Sequence, residues 1–278
     1  MIKYLLFSAA IIPAVVAGAL AWRSGSFAWL PFGLALLALL IGQSGADYLY
    51  YYLTHYHSDP RDAHTKIFAG WRPLFIGTLL KPQHSLPAGI LLLALDALIG
   101  VYFYLQLGAV VIYLALAGGA VAVFFTPLML RGLKEPVIFF TFGPLCMVSV
   151  YYVLTRTVSL EPVSASLPVG MLVTVVAYLK GTRYRIKEEE GGRIELKLNN
   201  TTITWLLALA YGSLLAGAAL GLMPPWALLG LLTAPLAVQM AWKLSSKTRI
   251  SDYLWATVKS LLLLILTGLL LAVGYIFF

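Results

Sequence analysis

Nine stretches of about 20 predominantly apolar residues, each long enough to cross a bilayer as a helix, follow one another along a chain of 278 residues. They fall at roughly 4–22, 28–50, 86–106, 108–128, 136–155, 162–180, 202–221, 223–243 and 255–277. In hydrocarbon every backbone N–H and C=O must find an internal partner, and a helix is how a single segment achieves that. The chain is 61% hydrophobic and 11% charged, whereas soluble domains carry about 25% charged residues. The first run is longer than the apolar core of about 7–15 residues in a signal peptide, so it reads as a span. Proline marks several boundaries, at Pro87, Pro136, Pro162 and the Pro224–Pro225 pair. The expectation is an all-α polytopic membrane protein with one transmembrane domain over 1–278. Two long polar connections, about 51–85 and 181–201, would cap it. Cys146 lies inside an apolar run, so no disulfide framework exists.

The basic residues orient the bundle. Of the 19 Lys and Arg, only Arg23 and Arg156 fall in loops after odd-numbered spans. The others lie at the N-terminus, in loops after even-numbered spans, or at their edges. The positive-inside rule makes that side cytoplasmic, with the N-terminus inside and the C-terminus outside. The formal charge of +8 then describes one membrane face, which suits anionic membrane lipids. No soluble basic module is left to carry nucleic acid.

The two long loops follow spans two and six. With Asp47 at the end of span two, they hold seven of the 11 acidic residues: Asp47, Asp59, Asp62, Glu188, Glu189, Glu190 and Glu195. They also hold Arg61, Lys66, Arg72, Lys81, Arg183, Arg185, Lys187, Arg193 and Lys197. Carboxylates beside Lys and Arg at the mouth of a helical bundle suit a Mg²⁺-bridged diphosphate. Mg²⁺ takes one or two carboxylates plus waters and phosphate oxygens, and Arg and Lys take the remaining phosphate charge.

Four stretches resemble the UbiA superfamily of intramembrane prenyltransferases. "RPLFIG", from Arg72 to Gly77, is similar to the family's R-P-L-x-x-G. "FTFGPLCMVSVYYVLT", from Phe140 to Thr155, resembles a stretch of the 1,4-dihydroxy-2-naphthoate prenyltransferase branch. "KGTRYRIKEEEGGRIELKL" aligns with that branch's second loop, and "DYLWATVKSLLLL" with the family's last helix. The resemblance implies a nine-transmembrane-helix UbiA-like bundle with working loops after helices two and six. In register with the aspartate motifs it places Asp47 and Glu188 as metal carboxylates, while Tyr50, Thr54 and Tyr184 stand where aspartates are usual. Arg183 matches a motif arginine, and Arg193 a motif lysine.

Other ligands lie close by. Asp59 and Asp62 are replacement carboxylates, and His55, His57 and His64 sit within ten residues of one another. Imidazole suits Zn²⁺, Ni²⁺ or Fe²⁺ better than Mg²⁺, so a transition-metal site or a metal-free, cationic site stays open. Asp59-Pro60-Arg61-Asp62 also has the form of a helix start, and the tyrosine run 48–52 that of an interfacial belt. Glu188 gains weight because acidic residues after a helix C-terminus oppose its dipole. Asp96 is an ionisable group in mid-span, a costly position that is usually functional. Gln43 and Gln239 are interhelical or cavity polar groups.

The implied activity is transfer of a prenyl group from a prenyl diphosphate to an aromatic, quinone-precursor acceptor. Asp47, Arg72, Arg183 and Tyr51 would form the reacting centre. Lys66, Lys187, Arg193, Gln43, Phe142, Tyr151 and Tyr184 would bind substrate. Asp47, Glu188, Asp59 and Asp62 would hold Mg²⁺. A UbiA-fold binder of quinone, isoprenoid or lipid, or a partner subunit, is the alternative. A small-molecule transporter is the third reading.

Overall fold

The computed structural model describes residues 7–57, 80–181, 183–187, 193–197, 200–245 and 250–277, with the main chain alone at 55–57, 183–187, 193–197, 245 and 250. Among these residues the chain forms nine helical rods. They are α1 (Ser8–Arg23), α2 (Trp29–His57), α3 (Ser85–Leu107), α4 (Val110–Leu130), α5 (Lys134–Thr155), α6 (Leu160–Lys180), α7 (Asn200–Ala219), α8 (Pro225–Leu244) and α9 (Ile250–Ile276). The rods α2 to α9 are long and apolar enough to cross a membrane, and the described part of α1 has 16 residues. Each matches one of the nine apolar runs. The largest difference is at α2, which continues to His57 because nothing before Asp59-Pro60 interrupts the helix.

Of the rods α2 to α9, α6 is the most enclosed. It packs against α1, α5, α7 and α9. Its contact with α5 is close because glycine meets glycine. A Cβ on Gly143 would lie 3.2 Å from the Gly170 Cα, and one on Gly170 would lie 3.0 Å from the Gly143 Cα. At that crossing α5 loosens into a π turn, Thr141–Leu145, around Pro144, which has no N–H to donate. The pair α2 and α3 is also joined by small residues. A Cβ on Gly89 would lie 3.2 Å from the Gly45 carbonyl oxygen. Buried hydroxyls tie the far side together: Tyr211 to Thr233 and Thr233 to Thr267, each at 2.7 Å, link α7, α8 and α9.

The connection after α6 is not the irregular loop expected. Strands β1 (Arg183–Lys187) and β2 (Arg193–Lys197) pair antiparallel, with Arg183 opposite Lys197, Arg185 opposite Glu195 and Lys187 opposite Arg193. The period-two alternation of RYRIK and RIELK explains it. The acidic run 188–190 therefore follows a strand, and the helix-dipole argument for Glu188 does not hold. Glu188 itself, and Asp59, Asp62, His64, Lys66 and Arg72, lie outside the described residues.

Candidate active site

A cavity of about 930 Å³ lies among α1 to α6. On α2 its wall is a stripe at helical spacing that runs through Ala35, Gly42, Gln43, Ala46, Asp47 and Tyr50. On α5 the same spacing brings Glu135, Ile138, Phe142 and Ser149 to the wall, and α3 contributes Leu93, Asp96, Gly100 and Phe103. Most of the lining is apolar. The rods α7, α8 and α9 contribute no lining residue: α7 packs on α6, α9 on α1 and α6, and α8 on α7 and α9.

The polar groups gather at one end. Successive antiparallel spans bring the C-terminal part of α2, the start of α5 and the end of α6 to one side, so Asp47, Tyr50, Lys134, Glu135 and Lys180 all meet the same mouth. Asp47 and Lys180 attract one another electrostatically. Lys134 Nζ donates to the Ala177 carbonyl at 2.7 Å, where a cation complements the negative end of α6. Gly181 makes that approach possible, because a Cβ there would run into the Lys134 amine. Gly132, at φ +81°, supplies the left-handed turn that delivers Lys134 from α4. Tyr253 of α9 donates to the Leu179 carbonyl at 2.6 Å, so the last turn of α6 is held from two sides.

Of the expected residues, Asp47, Gln43 and Phe142 line this cavity. Tyr51 does not. It is buried with Tyr48 against Leu80, Ala88 and Leu92, towards α3. The wall stripe steps from Ala46 and Asp47 to Tyr50, so Tyr51 falls on the neighbouring face. Tyr151 is likewise buried in the main core, one position off the stripe that carries Ser149, Val150 and Val153. Arg183, Tyr184, Lys187 and Arg193 lie on the hairpin, whose first strand begins two residues beyond Gly181. Gln239 is exposed and off the wall. Lys134, Glu135 and Lys180 are mouth residues that sequence reasoning did not single out, and Tyr50, at an aspartate position of the motif, joins them. The signal for the two lysines was their position, each at a helix end on the basic side.

Among the described residues no three His, Cys, Asp or Glu side chains come together as a metal cage. Asp47 and Glu135 share the mouth. One or two carboxylates are what Mg²⁺ accepts when phosphate and water complete its shell. The donor set therefore fits a Mg²⁺ brought by a diphosphate rather than one held by protein alone.

The solved structure described as "Structural and mechanistic insights into the biosynthesis of Digeranylgeranylglyceryl phosphate synthase in membranes" is similar over 100% of both chains, with a TM-score of 0.58 and 15% sequence identity. That likeness shows the fold. No curated protein matches the sequence. The model of the UbiA prenyltransferase family matches residues 10–257, which takes in α2 to α8 whole, α1 from Ala10 and the first two turns of α9. By that match, this chain belongs to the UbiA prenyltransferase family.

Proposed function

We propose that the protein transfers a prenyl group, within the membrane, from a prenyl diphosphate to an aromatic quinone-precursor acceptor. Intramembrane prenyl transfer is the general activity that family membership supports. The observation that carries the reading is a largely apolar chamber whose one charged end holds Asp47, Lys134, Glu135 and Lys180. Its volume of about 930 Å³ is at the upper end of ordinary ligand sites, which run to about 1,000 Å³.

The prenyl tail lies along the apolar wall and the diphosphate sits at the mouth. The C1–O bond breaks with its electron pair on the leaving diphosphate. Lys134 and Lys180 oppose that growing negative charge in a site shielded from bulk water. In the sequence, the connections after α2 and α6 carry further cations that would assist: Lys66, Arg72, Arg183, Lys187 and Arg193. Tyr50 and Phe142 present ring faces to the allylic cation, which aromatic quadrupoles stabilise. Mg²⁺ would be held by Asp47 and Glu135, with Asp59, Asp62 and Glu188 as further carboxylates from the loops. When bound it supplies additional charge compensation to the diphosphate.

The test is incubation of the purified protein with radiolabelled geranylgeranyl diphosphate and 1,4-dihydroxy-2-naphthoate, with Mg²⁺ or with chelator. Prenylated naphthoate and released diphosphate are the expected products. The sparse carboxylates favour one second reading, a UbiA-fold protein that binds an isoprenoid without turnover. It is the correct one if the diphosphate raises thermal stability with Mg²⁺ and is never released.

A further inference from the structure

Asp96 is the twelfth residue of the 23-residue helix α3 and faces the cavity in mid-span. A carboxyl at that depth is costly and persists where a site uses it. Among the described residues no hydrogen bond or ion pair engages Asp96. The other charged side chains on the wall are Asp47, Lys134, Glu135 and Lys180, all at the mouth. Room for the carboxyl comes from α2, because a Cβ on Gly42 would lie 2.9 Å from Asp96 Oδ2. Gly42 precedes Asp47 by five residues, so Asp96 meets α2 about 7–8 Å deeper than the mouth at 1.5 Å per residue. A diphosphate at the mouth would direct its C1 towards this depth, which is where an acceptor must present its nucleophile.

We propose that Asp96 binds a hydroxyl of the acceptor and takes up the proton which that hydroxyl loses as the prenyl carbon is captured. The inference rests on the prenyl-transfer reading and adds to it the class of acceptor, a hydroxyl-bearing one. The balance is simple. The C1–O bond to diphosphate breaks and the electron pair leaves with diphosphate. A bond forms from C1 to the acceptor, and the hydroxyl proton moves to a carboxylate oxygen of Asp96. A carboxylate can accept such a proton, whereas the apolar residues around it cannot.

Two measurements on the full-length protein test this. With geranylgeranyl diphosphate and 1,4-dihydroxy-2-naphthoate, Asp96→Asn should lower kcat for prenylated product roughly 100-fold or more, as expected for loss of a proton acceptor. KM for the diphosphate should stay within about threefold, since uniform binding is untouched. Asp96→Glu should recover part of the rate. Gly42→Ala keeps the carboxyl but crowds it, and should also slow product formation. An Asp96→Asn variant that retains its rate, or that loses diphosphate binding in parallel with rate, overturns the proposal. The second measurement needs no turnover. An apolar carbodiimide should modify Asp96, and 1,4-dihydroxy-2-naphthoate should protect it better than 2-naphthoate, which lacks both hydroxyls. Equal protection, or no modification, overturns the proposal. If wild-type protein makes no product while selective protection is seen, the transfer reading fails and the hydroxyl site stands.

Discussion

Lys180 stands at the cavity mouth beside Asp47, and the two residues constrain each other's use. A lysine that neutralises the motif aspartate is already a counter-charge for an incoming diphosphate. Removing Asp47 leaves that ammonium free for phosphate, whereas removing Lys180 leaves an uncompensated carboxylate facing an anion. Lys180→Met should therefore cost more than Asp47→Ala. A charge-assisted contact to a developing anion is worth about 3 kcal/mol or more, so Lys180→Met should slow diphosphate release roughly 100-fold. Asp47→Ala should be milder, and some activity should survive chelation. Rates from radiolabelled diphosphate release compare the two directly. If Asp47→Ala and chelator abolish release and Lys180→Met is mild, charge compensation is centred on the metal. At this scale the sequence was informative about residue types and less so about faces. Asp47 and Gln43 line the wall because they lie four residues apart, a relation visible in the sequence. Tyr50 and not Tyr51 lines the cavity, a difference of one position, about 100° of rotation on a helix of 3.6 residues per turn. The direction of the wall is set by α3, whose packing at Gly89 and Ala88 draws Tyr48 and Tyr51 away from the cavity.

The elements themselves were almost wholly legible, because length and apolarity alone decide whether a segment spans. What could not be read was how each rod deviates from a straight helix. α5 is one apolar run in sequence, yet its π turn at Thr141–Leu145 packs directly on Gly170 of another rod. That crossing predicts a sensitive position. Gly170→Ala would press a methyl to 3.0 Å from the Gly143 Cα and 3.0 Å from the Phe139 ring. Overpacking of this kind costs about 1–3 kcal/mol. A lower midpoint on heating in detergent should report it, and an unchanged midpoint would mean that α5 and α6 slide apart freely. A smaller effect is expected at the end of α6. Tyr253→Phe removes the hydroxyl that reaches the Leu179 carbonyl at 2.6 Å. The loss of one buried hydrogen bond is worth about 1 kcal/mol, with more if the carbonyl is left unsatisfied. The hairpin after α6 was present in the sequence as strict alternation, but an alignment to a helical and looped motif drew attention to charge rather than period.

For the whole molecule, the same alternation of spans that gathers Asp47, Lys134 and Lys180 at one mouth ties that mouth to the basic side of the chain. Of the 19 Lys and Arg, only Arg23 and Arg156 lie in loops at the opposite end. Arg23 is paired there with Glu161 at 2.6 Å, which offsets its charge. By the positive-inside rule the expectation is a mouth that faces the cytoplasm, where a water-soluble diphosphate head would reach it. If all nine rods of the described residues span, the chain ends lie on opposite sides, so the orientation can be tested at several points of one chain. Cys146 is buried, so added cysteines can be labelled against a quiet background. Cysteines at Arg61, Gly132 and Glu189 should react with a membrane-impermeant maleimide only after the bilayer is opened. Cysteines at Gly25, Thr157 and Phe277 should react in intact cells. Reaction of Gly25 and Phe277 on the cytoplasmic side, with Glu189 outside, would invert the molecule and place the mouth away from the cytoplasm. Reaction of all six from one side would break the nine-span count itself, and with it the argument that brings α2, α5 and α6 to a common mouth.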